Sequence, residues 1–149
     1  IKTPVSPVKG QILKLSSNSP PLNYSISWDI NYADSKSDGL IWCGTTEENS
    51  GFDENMTENA RNKIFSSVVN ILPYLKDSQI IQQTACLRPV TSDNMPIIGL
   101  SNQLKNVYFA TGAGRSGITL GPAIGKIISD LIIKEATEIN IENFSPDRF

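Results

Sequence analysis

The stretch Gly112–Gly117 reads "GAGRSG", three glycines at G-x-G-x-x-G spacing, after the apolar run "NVYFAT" and before "ITLGPAIGKIISDLII". Strand, glycine turn and helix in that order word a dinucleotide-binding fingerprint. The glycines admit a pyrophosphate close to the backbone, and the helix start offers it N–H groups. That chemistry also needs a second parallel strand after the helix, ending on an acidic residue that holds the ribose. Only "EATEINIENFSPDRF", with Pro146 in it, follows the helical pattern, so this context is missing. The physical capability survives: backbone that can approach a planar or anionic ligand, beside the positive end of a helix dipole. A turn that merely packs is the competing reading, and Arg115 is the feature such packing does not need.

Other reactive groups are few. The 149 residues include no His, which excludes imidazole metal sites and His-dependent triads. Acid–base work would fall to carboxylates, Lys, Tyr or a cofactor. Cys43 and Cys86, without a CxxC, argue against a disulfide framework or a zinc site. Thirteen Lys and Arg against 15 Asp and Glu give a formal net charge of -2, and no basic cluster marks a nucleic-acid surface. With no visible signal peptide and no uninterrupted apolar run of bilayer length, a cytoplasmic protein without a transmembrane segment is expected. The opening "IKTPVSP" carries no initiator Met and reads as an excised fragment of a longer protein.

The elements that must position the glycine turn follow from pattern. "VKGQILKL" (Val8–Leu15) reads as a strand, as does the alternating "YSISWDINY" (Tyr24–Tyr32). "ADSKSDG" is a polar turn, and "LIWCGT" (Leu40–Thr45) a second strand closing a hairpin. Thr57 looks like an N-cap, with Glu58 in the first turn. Ala60, Ile64, Phe65, Val68, Val69 and Leu72 then recur at helical spacing until Pro73, predicting a helix near 57–72. "SQIIQQTACL" (Ser78–Leu87) reads as a strand, "RPVTSDNMPIIG" as a loop, and "NVYFAT" as a buried strand. Gly117–Lys134 reads as a second helix, with Pro122 tolerated in its first turn. The class is α+β: an antiparallel sheet with a packed helix, then one strand–helix unit.

"LRPVTSDNMPIIG" and "VYFATGAGRSGITLGPAIGKIISDLI", in that order, resemble the C-terminal half of the FAD-dependent D-amino-acid oxidase family, which includes the glycine and sarcosine oxidases. "PVKGQIL", "DGLIWCGTTEE" and the closing "DRF" agree, so the resemblance spans nearly the whole chain. It implies a substrate-binding β-sheet domain over 1–86 and, over 87–149, a loop, strand and helix closing the flavin domain. The ADP-binding Rossmann part would lie outside this chain, in an N-terminal half with which it would combine. The resemblance also sets the glycine turn against the isoalloxazine rather than the pyrophosphate. Gly112, Ala113, Gly114, Ser116, Gly117, Ile118 and Thr119 would face the flavin, where backbone N–H groups stabilise the negative charge of its reduced form.

Arg88 matches the arginine that clamps the substrate carboxylate, and its guanidinium fork suits bidentate binding; a surface ion pair is the plainer alternative. Arg115 sits where glycine oxidases carry a second carboxylate-binding arginine. Tyr32 matches a substrate-contacting tyrosine, though the usual Tyr-x-x-Pro-Arg reads "YADSK" here, and an exposed strand-end Tyr is the alternative. Ala113 stands where the family often has His. Cys86 occupies the position of the covalent flavin ligand in the sarcosine-oxidase branch; the alternative is a small buried hydrophobe. The implied activity is oxidation of a small amino acid or secondary amine by hydride transfer to flavin N5, with no catalytic side chain required. Two alternatives stand beside it. The same fold could act on glycerol-3-phosphate or a tRNA-linked amine, or the chain could be a non-catalytic binding module or subunit. Alone, it is expected to be inactive and to retain no FAD.

Overall fold

In the computed structural model residues 4–149 are described, and they form an α+β protein. The described residues divide into two compact units: Lys9–Leu87, and Arg88–Phe149 together with residues 4–8. Each is described by itself.

The sheet unit is built on β1 (Val5–Ser16), β2 (Ile26–Trp28), β3 (Asn31–Ser35), β4 (Ile41–Gly44), α1 (Glu58–Ile71) and β5 (Gln79–Thr91). The strand order is β2-β3-β4-β1-β5, and β1 and β5 run on across the division between units. β4 pairs antiparallel with both β1 and β3, setting Leu13 and Ala33 opposite Cys43, and Leu15 opposite Ile41. Side chains alternate along a strand, so these five residues share one face. α1 covers that face with Ile64 and Val68, and Leu72 and Leu75 complete the core. α1 forms where expected: the Thr57 hydroxyl accepts from the Ala60 N–H at 3.2 Å, Ala60, Ile64 and Val68 are buried at i, i+4 spacing, and Pro73 follows the end.

A buried polar network fixes the loop between β4 and α1. The Lys9 side chain, 2% exposed, lies 2.9 Å from the Asp53 carboxylate and 3.5 Å from Glu48. The Gln11 carboxamide oxygen accepts from the Thr57 N–H at 3.0 Å and from Gln83 at 2.8 Å. A cation so deep is held by its partners, and Asp53 raises the Lys9 pKa above its ordinary value.

The turn unit contains β6 (Ile97–Leu100) and β7 (Tyr108–Thr111), an antiparallel pair with Gly99 opposite Phe109. The helix α2 (Gly117–Lys134) lies against both strands. Short 3₁₀ turns at Glu142–Phe144 and Pro146–Arg148 pack on β6. Gly99, at φ 134°, leaves room there for Pro146 and Ile141.

Several expectations are corrected. "YSISWDINY" is two strands, not one, because Asp29 turns the chain at φ 50°, a left-handed conformation that Asp tolerates. β5 continues through "RPVT", where a loop is expected; β5 is an edge strand, and edges accommodate Pro89. "PIIG" likewise contributes to β6, so only the segment between β5 and β6 is loop. β7 is half-buried rather than buried. Pro122 falls beyond the first turn of α2, inside the helix. By length and composition alone, Gly114–Lys134 could cross a membrane, with mean hydropathy 1.3 over its most apolar window. It is a longer apolar span than the uninterrupted runs suggest, although a helix packed in a protein core passes the same test. Lys126 and Lys134 both pair with Asp130 on one side of it.

Candidate functional site

The glycine turn is shaped by backbone that other residues would strain. Gly112 has φ 78° and Gly114 φ 52°, and a Cβ on Gly112 would meet the Thr91 methyl at 2.6 Å. Glycine alone combines that φ with that approach. Between them, Ala113 bridges antiparallel to Val90. This bridge lays the end of β5 beside the turn; because it is antiparallel, Arg88, two residues before Val90, and Arg115, two residues after Ala113, lie in the same direction from it. Arg88 is half-buried and Arg115 exposed, the latter within the 3₁₀ turn Gly114–Ser116 that leads into α2.

The floor of the turn is the loop after β5. Thr91, 3% exposed, donates its hydroxyl to the Met95 carbonyl at 2.7 Å. The Met95 N–H donates to Asp93 at 3.1 Å. Asp93 accepts twice from the Arg148 guanidinium, at 2.8 and 3.1 Å. That guanidinium holds the Asp93 carboxyl well below the usual carboxylate range.

Ser116 provides no side-chain cap at the start of α2, and Ile118, two residues on, is 95% exposed. Ser116 and Thr119 are also exposed. After α2 the described residues form only 3₁₀ turns, so the second strand of a pyrophosphate fingerprint is absent among them.

The predicted site residues thus divide between the units. Arg88, Arg115 and Gly112–Thr119 belong to the turn unit. Tyr32 and Cys86 belong to the sheet unit. Tyr32, half-buried on β3, pairs with Gly44, and a Cβ there would lie 3.2 Å from the tyrosine ring. Cys86 is a free, exposed thiol, which removes the buried-hydrophobe alternative. Cys43 is the buried cysteine, and burial pushes its thiol up to about 12. Among the described residues no group of three or more Cys, Asp or Glu could hold a metal ion. Sequence reasoning missed the Asp93–Arg148 pair. Both residues lie in segments that carry the family resemblance, but no spacing rule links positions 55 apart.

The turn fits a flavin. It offers backbone with no side chain in the way, the positive end of a long helix, and exposed surface at Arg115, Ser116, Ile118 and Thr119. Fold and turn together define an α+β chain with a glycine turn at the start of a long helix. The family model described as FAD dependent oxidoreductase matches residues 1–131, and the chain belongs to that family. It is 32% identical over 146 residues to a glycine oxidase of Pseudomonas aeruginosa, covering 98% of this chain and 40% of that protein. It is equally 32% identical, over its full length, to a hydrogen cyanide synthase subunit of Pseudomonas protegens, of which it covers 36%. Among solved structures, glycine oxidase from Geobacillus kaustophilus shares the fold at TM-score 0.94 and 23% identity, with 100% of this chain and 40% of that one covered. Iminodiacetate oxidase from a Chelativorans species matches at TM-score 0.91 and 29% identity, over 98% of this chain and 41% of that one. The chain spans about 40% of the length of these relatives.

Proposed function

We propose that this chain forms the substrate-binding and flavin-facing part of an FAD-dependent oxidase or dehydrogenase of small amino acids or secondary amines. Substrates of the glycine, sarcosine or D-amino-acid kind are meant. The observation that carries this reading is the antiparallel bridge between Val90 and Ala113, from which Arg88 and Arg115 extend in the same direction, two residues away along each segment. The family membership and the names of the relatives support it.

When bound, FAD supplies the acceptor for the substrate's hydride. The chain's own residues bind and orient. Arg88 grips the substrate carboxylate as a planar fork, and Arg115 adds a second cation. Tyr32, matched through the family resemblance, is the third residue assigned to the substrate. The backbone of Gly112–Gly117, with Ile118 and Thr119, lies against the flavin, and the start of α2 favours negative charge there. Catalysis is therefore by positioning.

The residues 1–86 act as the substrate-binding domain and 87–149 close the flavin domain, the ADP-binding half lying elsewhere in the whole protein. By itself this chain is expected to retain no FAD and to be inactive. The whole protein is assigned to the cytoplasm. A covalent flavin at Cys86 has a direct test: acid precipitation leaves the yellow colour with the protein if the bond exists and releases it to the supernatant if it does not.

The function is tested by mixing the whole protein with a panel of amino acids and following flavin reduction. Arg88→Ala is expected to lower kcat/KM about 30-fold or more, the loss of a charge-assisted contact worth roughly 2–5 kcal/mol. Unchanged KM and kcat for glycine, sarcosine and D-amino acids would sink the assignment.

A further inference from the structure

We propose that Arg148 is a positioning residue for the glycine turn. From the segment Ser145–Phe149 it holds the loop that forms the turn's floor, and through that loop it sets how Gly112–Gly117 is presented to the flavin. The inference rests on the flavin-facing reading of the turn and goes beyond it to a residue that acts through others.

The Arg148 guanidinium makes four hydrogen bonds. Nε and Nη2 donate to the two oxygens of Asp93 at 2.8 and 3.1 Å, Nη2 also donates to the Met95 carbonyl at 2.8 Å, and Nη1 to the Ser145 carbonyl at 3.0 Å. Only 13% of the side chain is exposed. Its planar fork fits two acceptors at once, which a lysine cannot do. The arm itself is held: the guanidinium lies 4.4 Å over the Phe149 ring, and neighbouring Asp147 accepts from the Asn102 N–H at 3.3 Å.

The contacts converge on one peptide. The Met95 carbonyl accepts from Arg148 and, at 2.7 Å, from the Thr91 hydroxyl. The Met95 N–H donates to Asp93, the other partner of Arg148. Both ends of that residue are therefore tied to the same guanidinium, one directly and one through a carboxylate. Gly112 lies against Thr91: a Cβ added there would sit 2.6 Å from Thr91 Cγ2, with the Met95 carbonyl oxygen 3.8 Å from the same point. A tightly packed contact transmits displacement, so a shift of the loop moves the turn.

The test uses the whole protein with FAD bound, comparing Arg148→Ala, Arg148→Lys and Asp93→Asn with Arg61→Ala on α1 as a control. The readouts are the dissociation constant for FAD, the visible flavin spectrum and the melting temperature, followed by KM and kcat. Arg148→Ala should weaken FAD binding about tenfold or more and alter the visible spectrum, because bonds to a charged group are lost. Asp93→Asn should reproduce part of this, and Arg148→Lys should recover part of it; Arg148→Ala combined with Asp93→Asn should be no worse than Arg148→Ala alone. If Arg148→Ala does not fold, Arg148→Lys and Asp93→Asn carry the same comparison. Variants that only melt earlier, with FAD affinity and spectrum unchanged, overturn the positioning role. A wild-type protein that binds no FAD overturns the flavin reading beneath it, and the two failures are told apart by that first measurement.

Discussion

Leu13 and Leu15 of the sheet unit expose none of their surface, whereas Ile118 of α2 in the turn unit is 95% exposed. The sheet unit closes its own core, with strand faces on one side and Ile64, Val68, Leu72 and Leu75 on the other. The turn unit buries Ile97 and Ile98, but of the 18 residues of α2 only Ile127 and Asp130 are buried. Ile132 and Ile133 are exposed as well. One unit is a finished piece of folding; the other presents backbone, arginines and an uncovered apolar helix. Large uncovered apolar surface is a feature that interaction surfaces share.

The largest expected effect follows from this contrast. Leu13→Ala leaves a cavity in the closed core and should cost about 2–5 kcal/mol, while Ile118→Ala removes nothing buried and should stay within about 0.5 kcal/mol. Amide hydrogen exchange of this chain, read unit by unit, measures both. In the whole protein the same Ile118→Ala variant should become costly if α2 is covered there. An Ile118→Ala effect equally small in both settings would break the comparison.

Gly112→Ala sharpens the comparison from inside the turn unit. Left-handed backbone costs a non-glycine residue about 1–2 kcal/mol, and overpacking against Thr91 adds roughly another 1–3 kcal/mol. Gly39 provides the control: it has φ 79° but nothing near its would-be Cβ, so Gly39→Ala carries only the backbone cost. The difference between the two variants measures the contact that couples floor to turn. Equal destabilisation would mean that Thr91 gives way freely. Smaller again is Thr57→Ala, expected to cost about 1 kcal/mol through the lost cap of α1. Its effect should be confined to exchange in the sheet unit.

How much of this was legible in sequence tracks the same division. α1 announces itself because its signals are local: Thr57, Glu58, an i, i+4 stripe and Pro73 lie within one short stretch. The hairpin of β3 and β4 was legible only in part: Ala33, Asp34 and Ser35, read as the start of the polar turn "ADSKSDG", pair with β4 as strand. The turn at Asp29 was not, since "YSISWDINY" keeps its apolar alternation straight through it and carries no glycine. The extension of β5 through Pro89 was hidden because only the sheet order shows that strand to be an edge. In the candidate site, the glycines and Arg115 stood out as a motif, and the bridge from Ala113 to Val90 put Arg88 beside them. The Arg148 clasp depends on side chains meeting across 55 residues, which periodicity does not encode.

The smallest effect is a matter of pH, and it separates the units by which carboxylates carry it. Asp93 is held below the usual carboxylate range chiefly by the Arg148 guanidinium. In the sheet unit Asp53 is lowered chiefly by its hydrogen bond to Lys9. For a depressed carboxylate the unfolded chain takes up a proton first. Each contribution is therefore present in full above the ordinary carboxylate range, and it fades as pH falls through that range toward the folded value. Asp93→Asn should flatten the acid side of the stability curve below about pH 4, where free aspartates titrate. The flattening should appear in amide exchange of the turn unit and leave the sheet unit's acid dependence intact. Asp53→Asn should do the reverse. A variant that flattened both units alike would show that the two titrate as one cooperative body, and the distinction between scaffold and presenting surface would fail at the level of stability.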